Sequence, residues 1–503
     1  MPRFRHIATA AVLVVGFVGA AAAAGKAAQA ASENVEQRGP DGSTPLEWAA
    51  YKGDAAEVKR LLAAGAQVSE ANDYGAMPMQ LAATTGNVAV MKLLLDAGAD
   101  VESPNEDGQT ALMEVARTGN VEAAELLLKH GARVNAVEQF GGQTALMWAA
   151  ARRQPAMVKL LASKGAEVNG RSIVREWQRH ITAEGRAKDT NSGGLTPLMY
   201  AARDNCLECA QILVKYHADV NMADPDGVAP VTVAIQNQNW DVAKFLISAG
   251  ADVNEWDMYG MAPLHVAIEM ETGEGAGFFG RRMGESIDRP NKATPQEVIQ
   301  MMVERGANPN QQMYFRAPRE PGFVSGGSRG TTPFMVACSK GDVALVKTLL
   351  AHGADVHLRQ ADDETPMMLA IGARGVKEDT IVEMLKVLHD AGADVNVVAK
   401  YHHLQRTRGG SALHVAVRAG LKKVIAELVS FGIDVNAKDP DGLTALDYAM
   451  ARGYVPFLAQ RQPPRMDLAK LLREDGATVE LAKTPDWPPV GPPIGYEATI
   501  WPL

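Results

Sequence analysis

Apolar residues recur at helical spacing in two short stretches between residues 106 and 138. Leu112, Val115 and Ala116 lie on one face of the first stretch at i, i+3 and i+4 spacing, and a leucine run fills 126–128 in the second. The pattern predicts two short helices. Helices of this length cannot bury their apolar faces alone, so the pair needs neighbours.

The same segment carries signals for where each helix begins and ends. Thr110 can cap the first helix by accepting from free backbone N–H groups. Gly119 and Asn120 tolerate left-handed backbone and predict the turn between the helices. Gly131 stands where a helix C-terminus favours a residue with positive φ. We expect a helix–turn–helix unit that ends at Gly131.

The unit is repeated along the chain. Its capping position and its stop position recur eleven times as a pair, and in eight pairs they are 21 residues apart. A gap of 12 residues usually follows, which gives a period of 33. The pairs are 44/65, 77/98, 110/131, 144/165, 196/217, 229/250, 262/306, 332/353, 365/392, 411/432 and 444/476.

These repeats resemble the ankyrin repeat family, whose motif is approximately DGxTPLHxAAxxGxxEIVxLLLxxGADVN. Matching stretches are DGSTPLEWAAYKGDAAEVKRLLAAGA (Asp41–Ala66), MAPLHVAI (Met261–Ile268), GTTPFMVACSKGDVALVKTLLAHGADV (Gly330–Val356) and DGLTALDYA (Asp441–Ala449). The resemblance covers residues 41–481. It implies a mainly α solenoid of about eleven units, each a helix–turn–helix plus a β-hairpin, and a role in protein–protein recognition.

Residues 1–30 have a different composition. Arg3 and Arg5 precede an apolar run from residue 7 to residue 24, and Ala-Gln-Ala at 28–30 offers a cleavage site. This is the pattern of a secretory signal peptide, followed by a short leader to the first repeat at 31–40. The alternative is an uncleaved membrane anchor. The signal looks bacterial, so we expect export to the periplasm or outside, with no stable membrane insertion after cleavage.

The charge of the chain argues against nucleic acid as a partner. The formal net charge is −9. It becomes −12 in the mature chain because the signal removes Arg3, Arg5 and Lys26 and no acid. An acidic, exported protein with no basic stripe along its helices is a poor nucleic-acid binder.

Six insertions interrupt the period. We call the segment between a stop position and the next cap a finger, because in ankyrin-type units it forms the hairpin. Three insertions elongate fingers, near 171–190, 314–330 and 400–410. Three others separate the two helices of a unit, near 271–292, 372–379 and 452–463, and we expect them on the other side of the solenoid.

The C-terminal tail, residues 482–503, has no repeat pattern. It is rich in proline and aromatic residues, which predicts an extended or polyproline-like chain. Either its aromatic rings cap the last repeat, as solenoids require, or it is a free peptide ligand for another protein. The residues concerned are Pro485, Pro488, Pro489, Pro492, Pro493 and Pro502 with Trp487, Tyr496 and Trp501.

Cys206 and Cys209 form a CxxC pair near a predicted helix start, where a helix dipole can lower a thiol pKa. A redox pair is therefore conceivable, but no thioredoxin-like pattern surrounds it. The repeat pattern instead favours small buried thiols, and it leaves open whether the two form a disulfide. Cys338 falls in a first helix.

The histidines and methionines at one position of the motif are best explained by hydrogen bonding and packing within the repeats. His265 and His414 occupy the His position of the repeat motif, where the resemblance implies hydrogen bonds within and between repeats. Methionines stand at that position in other units and favour adaptable packing over a soft-metal site; they are Met113, Met147, Met199, Met335 and Met368. We find no nucleophile elbow, phosphate-binding loop or HExxH, so we expect no enzyme, no cofactor and no metal.

The finger insertions concentrate positive charge. They carry +2, +2 and +3, which leaves −19 on the rest of the mature chain, while the insertion at 271–292 is neutral. Arginine together with aromatic residues is typical of protein interfaces. The alternative is a solvated loop whose rings fold back on the repeats. The candidate partner-binding residues are Arg175, Trp177, Arg179, Tyr314, Phe315, Arg316, Arg319, Tyr401, Arg406 and Arg408, with Tyr74, Phe140 and Tyr259 at shorter fingertips where Asp is usual.

The sequence therefore predicts a non-catalytic scaffold or adaptor outside the cytoplasm. It would recognise a protein with an acidic surface patch through its fingers and concave face. The alternative is a regulatory or inhibitory protein that covers the active site of an envelope enzyme with one long insertion. A purely structural envelope protein is a third possibility.

Overall fold

A computed structural model of the protein describes residues 35, 37–175, 192–271, 291–314, 330–400, 409–451 and 463–479, with the backbone alone at Arg175 and Ser192. The predicted signal, most of the long insertions and the tail lie outside these residues. The chain forms two compact units, Met1–Asn105 and Glu106–Leu503, and each is described by itself.

The described residues contain twenty-two α-helices in eleven pairs, which confirms the predicted fold class. The unit Met1–Asn105 holds α1 (Pro45–Lys52), α2 (Ala55–Ala63), α3 (Pro78–Thr85) and α4 (Val88–Asp96). The unit Glu106–Leu503 holds α5 (Ala111–Thr118), α6 (Val121–Lys129), α7 (Ala145–Ala151), α8 (Pro155–Ser163), α9 (Pro197–Arg203), α10 (Leu207–Lys215), α11 (Pro230–Gln236), α12 (Trp240–Ser248), α13 (Pro263–Glu271), α14 (Pro295–Glu304), α15 (Pro333–Lys340), α16 (Val343–Ala351), α17 (Pro366–Ile371), α18 (Glu378–Asp390), α19 (Ala412–Ala419), α20 (Lys422–Ser430), α21 (Ala445–Ala449) and α22 (Met466–Glu474).

The helix pair α5–α6 begins and ends close to where its sequence signals stand. The Thr110 hydroxyl accepts from the Met113 N–H at 3.4 Å and caps α5. Gly119 has φ 80° and ends α5. Asn120 has an ordinary φ of −78° and caps α6 by accepting from Ala123 N–H, so only the glycine of the expected pair is left-handed. Gly131, at φ 92°, follows α6.

The core consists of the faces that the helix pairs bury against one another. The five methionines at the His position of the motif are at most 3% exposed, which places their thioethers in this packing. Leu112, Val115 and Ala116, the predicted apolar face, are at most 1% exposed.

Asparagine side chains join consecutive units at the start of seven of the described fingers. The Asn254 amide donates to the Gly306 carbonyl at 3.0 Å, and its oxygen accepts from the Asn308 N–H at 2.7 Å. The first bond reaches the stop position of the next unit, and the second reaches two residues beyond it. The same pair of bonds is made by Asn135, Asn169, Asn221, Asn310, Asn396 and Asn436.

A second contact between units predicts a sensitive position. Asn239 is fully buried and donates to the carbonyls of Ala202 at 2.6 Å and Arg203 at 2.9 Å, at the end of α9. We expect Asn239→Ala to lower the free energy of unfolding by about 2 kcal/mol, because both carbonyls lose this donor in a buried place. Urea denaturation of the mature protein measures this. Asn237→Ala is the matched control, since its amide bonds Val233 within its own helix. Equal effects of the two substitutions would refute the inter-unit role.

The three finger insertions enter and leave through paired backbone. Strand β1 (Val174–Arg175) is antiparallel to β2 (Ser192–Gly193). Met313 exchanges backbone bonds with Gly330 and Thr331 at 2.8 and 3.0 Å, and Ala399 exchanges two with Gly410 at 3.0 Å. The described ends of these insertions therefore form the bases of hairpins.

The other three insertions lie between helices of one unit. The first separates α13 from α14 and the third separates α21 from α22. The second is partly helical, because α18 begins at Glu378 and continues for 13 residues.

Candidate functional site

Some fingers turn around a buried or half-buried polar side chain. Asp257 is 6% exposed, and one of its oxygens accepts from the N–H groups of Tyr259 and Met261, both at 2.9 Å. Asp224 makes the equivalent pair in the preceding finger. Burial raises the pKa of Asp224, although the backbone N–H groups of Val228 and Asp226 act in the opposite direction. These bonds fix the shape of the turn.

Backbone bonds also link finger to finger. Ile173 donates to the carbonyl of Gly141, Met258 to that of Asp226 and Tyr314 to that of Tyr259, each at 2.8 Å. Pro225 stands at the same position of its finger and has no N–H to donate. Backbone bonds therefore join the three fingers that hold Pro225, Met258 and Tyr314. Between Ile173 and Pro225 the neighbouring fingers meet where the Pro225 ring lies over Gly194.

The side chains at this linking position form an apolar ribbon, which we define as Ile173, Pro225, Met258 and Tyr314, one from each of four successive fingers. Ile173 is 44% exposed and Tyr314 is 51% exposed. Pro225 is exposed and Met258 is half-buried. An apolar strip open to solvent along four fingers is the kind of surface that marks an interaction site.

Neighbouring side chains widen the ribbon at both ends. Trp256 is 48% exposed and packs edge-on against Tyr314 with ring centroids 5.3 Å apart. Val174 lies beside Ile173 in the chain. A Cβ placed on Gly194 would lie 2.5 Å from the Pro225 ring and 3.2 Å from the Val174 methyl, so these two residues approach each other over that glycine.

Charged residues frame the ribbon. Arg171 and Arg359 are exposed. Arg171 stands two residues before Ile173, and Arg359 stands two residues before the equivalent position of the finger that follows the finger of Tyr314. The Arg171 guanidinium donates to the Gly194 carbonyl at 3.1 Å. Near the middle, burial raises the pKa of Glu255, and the carboxylates of Asp252 and Asp219 raise it further.

The structure brings one predicted site residue, Tyr314, into the ribbon. Tyr74 and Phe140 are 76% and 67% exposed on other fingertips. Arg175 lies in β1 at the base of the first insertion. The remaining candidates lie outside the described residues; they are Trp177, Arg179, Phe315, Arg316, Arg319, Tyr401, Arg406 and Arg408.

Two fingertip predictions need correction. Tyr259 is only 7% exposed, because the next finger covers it: a Cβ on the adjacent Gly260 would meet the Gln312 carbonyl and Tyr314, each at 2.9 Å. Phe140 does not replace the usual Asp. The residue at that position accepts a backbone bond from the next finger, as Asp226 and Tyr259 do. In this finger Gly141 accepts that bond, from Ile173, and Phe140 is an additional residue in the turn.

The fixed spacing of the repeats also holds a signal that our sequence reasoning missed. An aromatic residue follows the His position of the motif in four units: Trp48, Trp148, Tyr200 and Tyr448. Trp48 is 44% exposed and packs edge-on against Tyr51 at 6.1 Å. Tyr200 is buried, and its hydroxyl accepts from the Gln143 amide at 2.7 Å. Tyr200 therefore joins two units, and Trp48 remains available to solvent.

The CxxC pair differs from the expected buried thiols. Cys206 and Cys209 form a disulfide, with their Cα atoms 5.2 Å apart. Cys206 is the cap of α10, and its sulfur also accepts from the Cys209 N–H at 3.2 Å. The cap and the third residue of a helix are close enough in space to be bridged. Both cysteines are buried, at 6% and 0% exposure. Cys338 is a free buried thiol whose pKa is raised by burial.

His265 and His414 serve as links between units. Each Nδ1 accepts a backbone N–H of its own unit, from Ala262 at 3.2 Å and from Ser411 at 3.0 Å. Each Nε2 then donates to a carbonyl of the next unit, Thr331 at 3.3 Å and Leu443 at 3.1 Å. Burial lowers the pKa of both rings to about 4, so they are neutral at pH 7.

Within the part of the chain that the structure describes, no cluster of three His, Cys, Asp or Glu side chains has the arrangement of a metal site. The described helices also include none with the length and apolar character to cross a membrane.

Comparison with known proteins shows which family of repeats these units match. The family model for ankyrin repeats (3 copies) matches residues 18–105, 98–172, 198–276, 292–399 and 376–462. In sequence the chain is similar to the ankyrin repeat, SAM and basic leucine zipper domain-containing protein 1 of Dasypus novemcinctus, 34% identical over 105 residues, which are 21% of this chain and 20% of that protein. It is also similar to the probable 26S proteasome regulatory subunit p28 of Saccharomyces cerevisiae, 30% identical over 128 residues, 25% of this chain and 50% of that one.

A third similar protein is the potassium channel AKT2/3 of Arabidopsis thaliana, 28% identical over 157 residues, 31% of this chain and 16% of the channel. The chain thus spans at most half the length of these three relatives. Among solved structures, the ankyrin repeat domain of Bcl-3 matches with a TM-score of 0.38 and 26% identity, over 45% of this chain and 94% of that one. The family model covers most of the chain, and the chain belongs to the ankyrin repeat family.

Proposed function

We propose that this protein is a non-catalytic recognition scaffold that acts outside the cytoplasm and binds a protein partner through its fingers. Ankyrin repeats indicate protein–protein interaction, and proteins of this family are typically non-catalytic. The observation that carries the proposal is the apolar ribbon, which four successive fingers hold in a fixed row. Function depends on such a site and not on the fold alone.

The ribbon has the composition of an interface centre. Trp256 and Tyr314 offer large rings with little conformational entropy to lose on binding, and such residues are enriched among those that dominate binding energy. Asp224 and Asp257 fix the turns of two ribbon fingers, and backbone bonds join Met258 and Tyr314 to the preceding fingers, so this part of the ribbon is arranged before a partner arrives. Preorganisation of this kind lowers the entropic cost of association.

The charge distribution supports an acidic partner surface. Arg171 and Arg359 frame the ribbon, and the three finger insertions add +7 to an otherwise acidic chain. A positive border steers an acidic surface toward the apolar centre and opposes wrong partners. Anionic envelope polymer or lipid is the second candidate, since it carries the same sign of charge.

The proposed location outside the cytoplasm rests on two independent features. The first is the signal-like composition of residues 1–30. The second is the Cys206–Cys209 disulfide, because disulfides persist in oxidising compartments and are rare in the cytosol. Sequencing of the N-terminus tests the address: a start at Ala31 in the exported fraction is expected, and a start at Met1 in a membrane fraction would contradict it.

The recognition proposal is tested by capturing the partner and removing the finger charges. The partner is first isolated with tagged mature protein from the envelope fraction. Arg175, Arg179, Arg316, Arg319, Arg406 and Arg408 are then replaced together by Ser. We expect association to slow by roughly tenfold and to lose most of its salt dependence, because exposed charges act mainly on the rate of encounter.

The helix core should be untouched by these substitutions, which circular dichroism checks. A matched control replaces Arg281, Arg282 and Arg289 by Ser in the neutral insertion between α13 and α14. If the control slows association as much as the finger variant, the finger charges have no special role. If neither changes it, recognition does not depend on them.

A further inference from the structure

We infer that the ribbon binds an acidic segment in the polyproline II conformation, and that the segment is the proline-rich tail of a second copy of this chain. This inference rests on the proposed function, since it names the ligand of the same surface. Four observations carry it: the spacing of the fingers, the period of the tail, the charges around each, and the reach of the chain.

The first observation is the spacing of the ribbon. Each finger contributes two chain segments, one bonded within the finger (Asp257 N–H to the Met261 carbonyl, 3.1 Å) and one bonded to its neighbour (Met258 N–H to the Asp226 carbonyl, 2.8 Å). Hydrogen-bonded extended segments lie about 4.8 Å apart. The ribbon therefore presents one apolar side chain about every 9.6 Å.

Only some ligand conformations match that step. A polyproline II helix repeats the same face every three residues, or about 9.3 Å. A β-strand repeats it about every 6.8 Å, and a seven-residue step along an α-helix covers about 10.5 Å. Over four fingers the α-helix drifts by nearly 3 Å, whereas the polyproline II helix drifts by about 1 Å.

The second observation is the period of the tail. Residues 487, 490, 493 and 496 are Trp, Val, Pro and Tyr, so one face of a polyproline II helix carries four apolar side chains in a row. Four prolines within this stretch preorganise that conformation; they are Pro488, Pro489, Pro492 and Pro493. Four side chains at this spacing match the four side chains of the ribbon.

The third observation is charge. Asp486 and Glu497 immediately flank the apolar stretch of the tail, about 34 Å apart in polyproline II form. Arg171 and Arg359 flank the ribbon four finger steps apart, about 38 Å. Flexible Arg and Glu side chains span the small difference, so each end of the tail segment meets a charge of opposite sign.

The fourth observation, the reach of the chain, shows that the tail is too short to bind the ribbon of its own chain. Val479 is held at the end of the last unit by a bond from the Thr444 hydroxyl at 2.9 Å. The finger of Tyr314 lies four finger steps before Val479, about 38 Å at about 9.6 Å for each step. The eight residues from Val479 to Trp487 reach at most about 29 Å when fully extended. The tail must therefore come from another copy, in a head-to-tail contact.

The binding test uses a labelled synthetic peptide of residues 482–503 and the full mature protein. Fluorescence polarisation should show saturable binding that weakens at least 30-fold for a ribbon variant, Trp256→Ser with Tyr314→Ser. A peptide with Ala at its prolines 488, 489, 492 and 493 should also bind at least 10-fold more weakly. Asp486→Asn with Glu497→Gln in the peptide should remove the salt dependence. An absence of peptide binding overturns the inference.

A complementation test then identifies the second copy. A full-length tail variant, Trp487→Ser with Tyr496→Ser, and the ribbon variant should each stay monomeric in sedimentation velocity. Mixed, they should form a 1:1 complex, because one retains the ribbon and the other retains the tail. If the tail instead caps its own last unit, the parent protein stays monomeric and the mixture forms no complex, which overturns the inference.

The two proposals fail in different ways. If the ribbon variant loses the captured partner while the peptide does not bind, recognition by the ribbon stands and the tail is not its ligand. If the ribbon variant still binds both partner and peptide like the parent, the ribbon is not the site and both proposals fall. Arg171→Ser with Arg359→Ser, both exposed, provides a second ribbon variant in case the aromatic variant folds poorly.

Discussion

Acidification from pH 7 to pH 5 is expected to remove roughly 4 kcal/mol of folding free energy through His265 and His414 together. Their folded pKa is about 4, lowered from an ordinary value near 6.5. At pH 6 the two histidines of the unfolded chain therefore bind protons, whereas those of the folded chain stay neutral. Stability from these rings is fully present above the unfolded pKa and is lost as pH falls toward the folded pKa, at roughly 2 kcal/mol for each ring by pH 5.

The measurement is urea denaturation at pH 7 and pH 5 for the parent and for His265→Gln with His414→Gln. Gln is the matched replacement because Gln80 occupies the same motif position in the second repeat and accepts from the Met77 N–H. Carboxyl groups titrate in both proteins, so only the difference between them isolates the two rings. An identical loss of stability in parent and variant would exclude the histidines as its source.

Truncation of either aromatic ring at the end of the ribbon is expected to weaken partner binding by about 2 kcal/mol or more, roughly 30-fold. Trp256 and Tyr314 are about half exposed, so Trp256→Ala and Tyr314→Ala remove contact surface with little effect on the core. The loss should be seen mainly as faster dissociation. Because the rings touch, the double variant should lose less than the sum of the two.

Surface plasmon resonance with the captured partner gives both rate constants. Tyr74→Ala is the control, since Tyr74 is more exposed than either ring and lies on a finger of the other compact unit. Ribbon variants that bind like the parent, or a Tyr74 variant that fails equally, would move the site away from the ribbon.

Much of this protein follows from the order of its residues. In most units a glycine follows the helix pair and a Thr precedes the next pair. These residues set local backbone geometry, which depends little on distant contacts. The period of 33 residues then implies stacked units, because a single pair cannot bury its apolar face. The apolar core positions and the stop glycines could be predicted in this way. The linking role of His265 and His414 was implied by the resemblance to ankyrin repeats.

The candidate site could be predicted only in part. Charge and aromatic content pointed to the fingers, and Tyr314 is one of the residues they selected. They also selected Tyr259, which the neighbouring finger buries. They passed over Ile173, Pro225 and Met258, which have no unusual chemistry as single residues. Their significance comes from standing at one position of four successive fingers.

The tertiary structure alone decided which finger residues face solvent, because that depends on how closely one finger lies on the next. It also decided that Cys206 and Cys209 are joined, since the sequence specifies their separation along the chain but not the distance between their sulfurs. The sequence by itself determined the repeating unit, whose interactions are local. The exposed row of side chains arises from contacts between units, and residues far apart in the chain meet there only after the units have stacked.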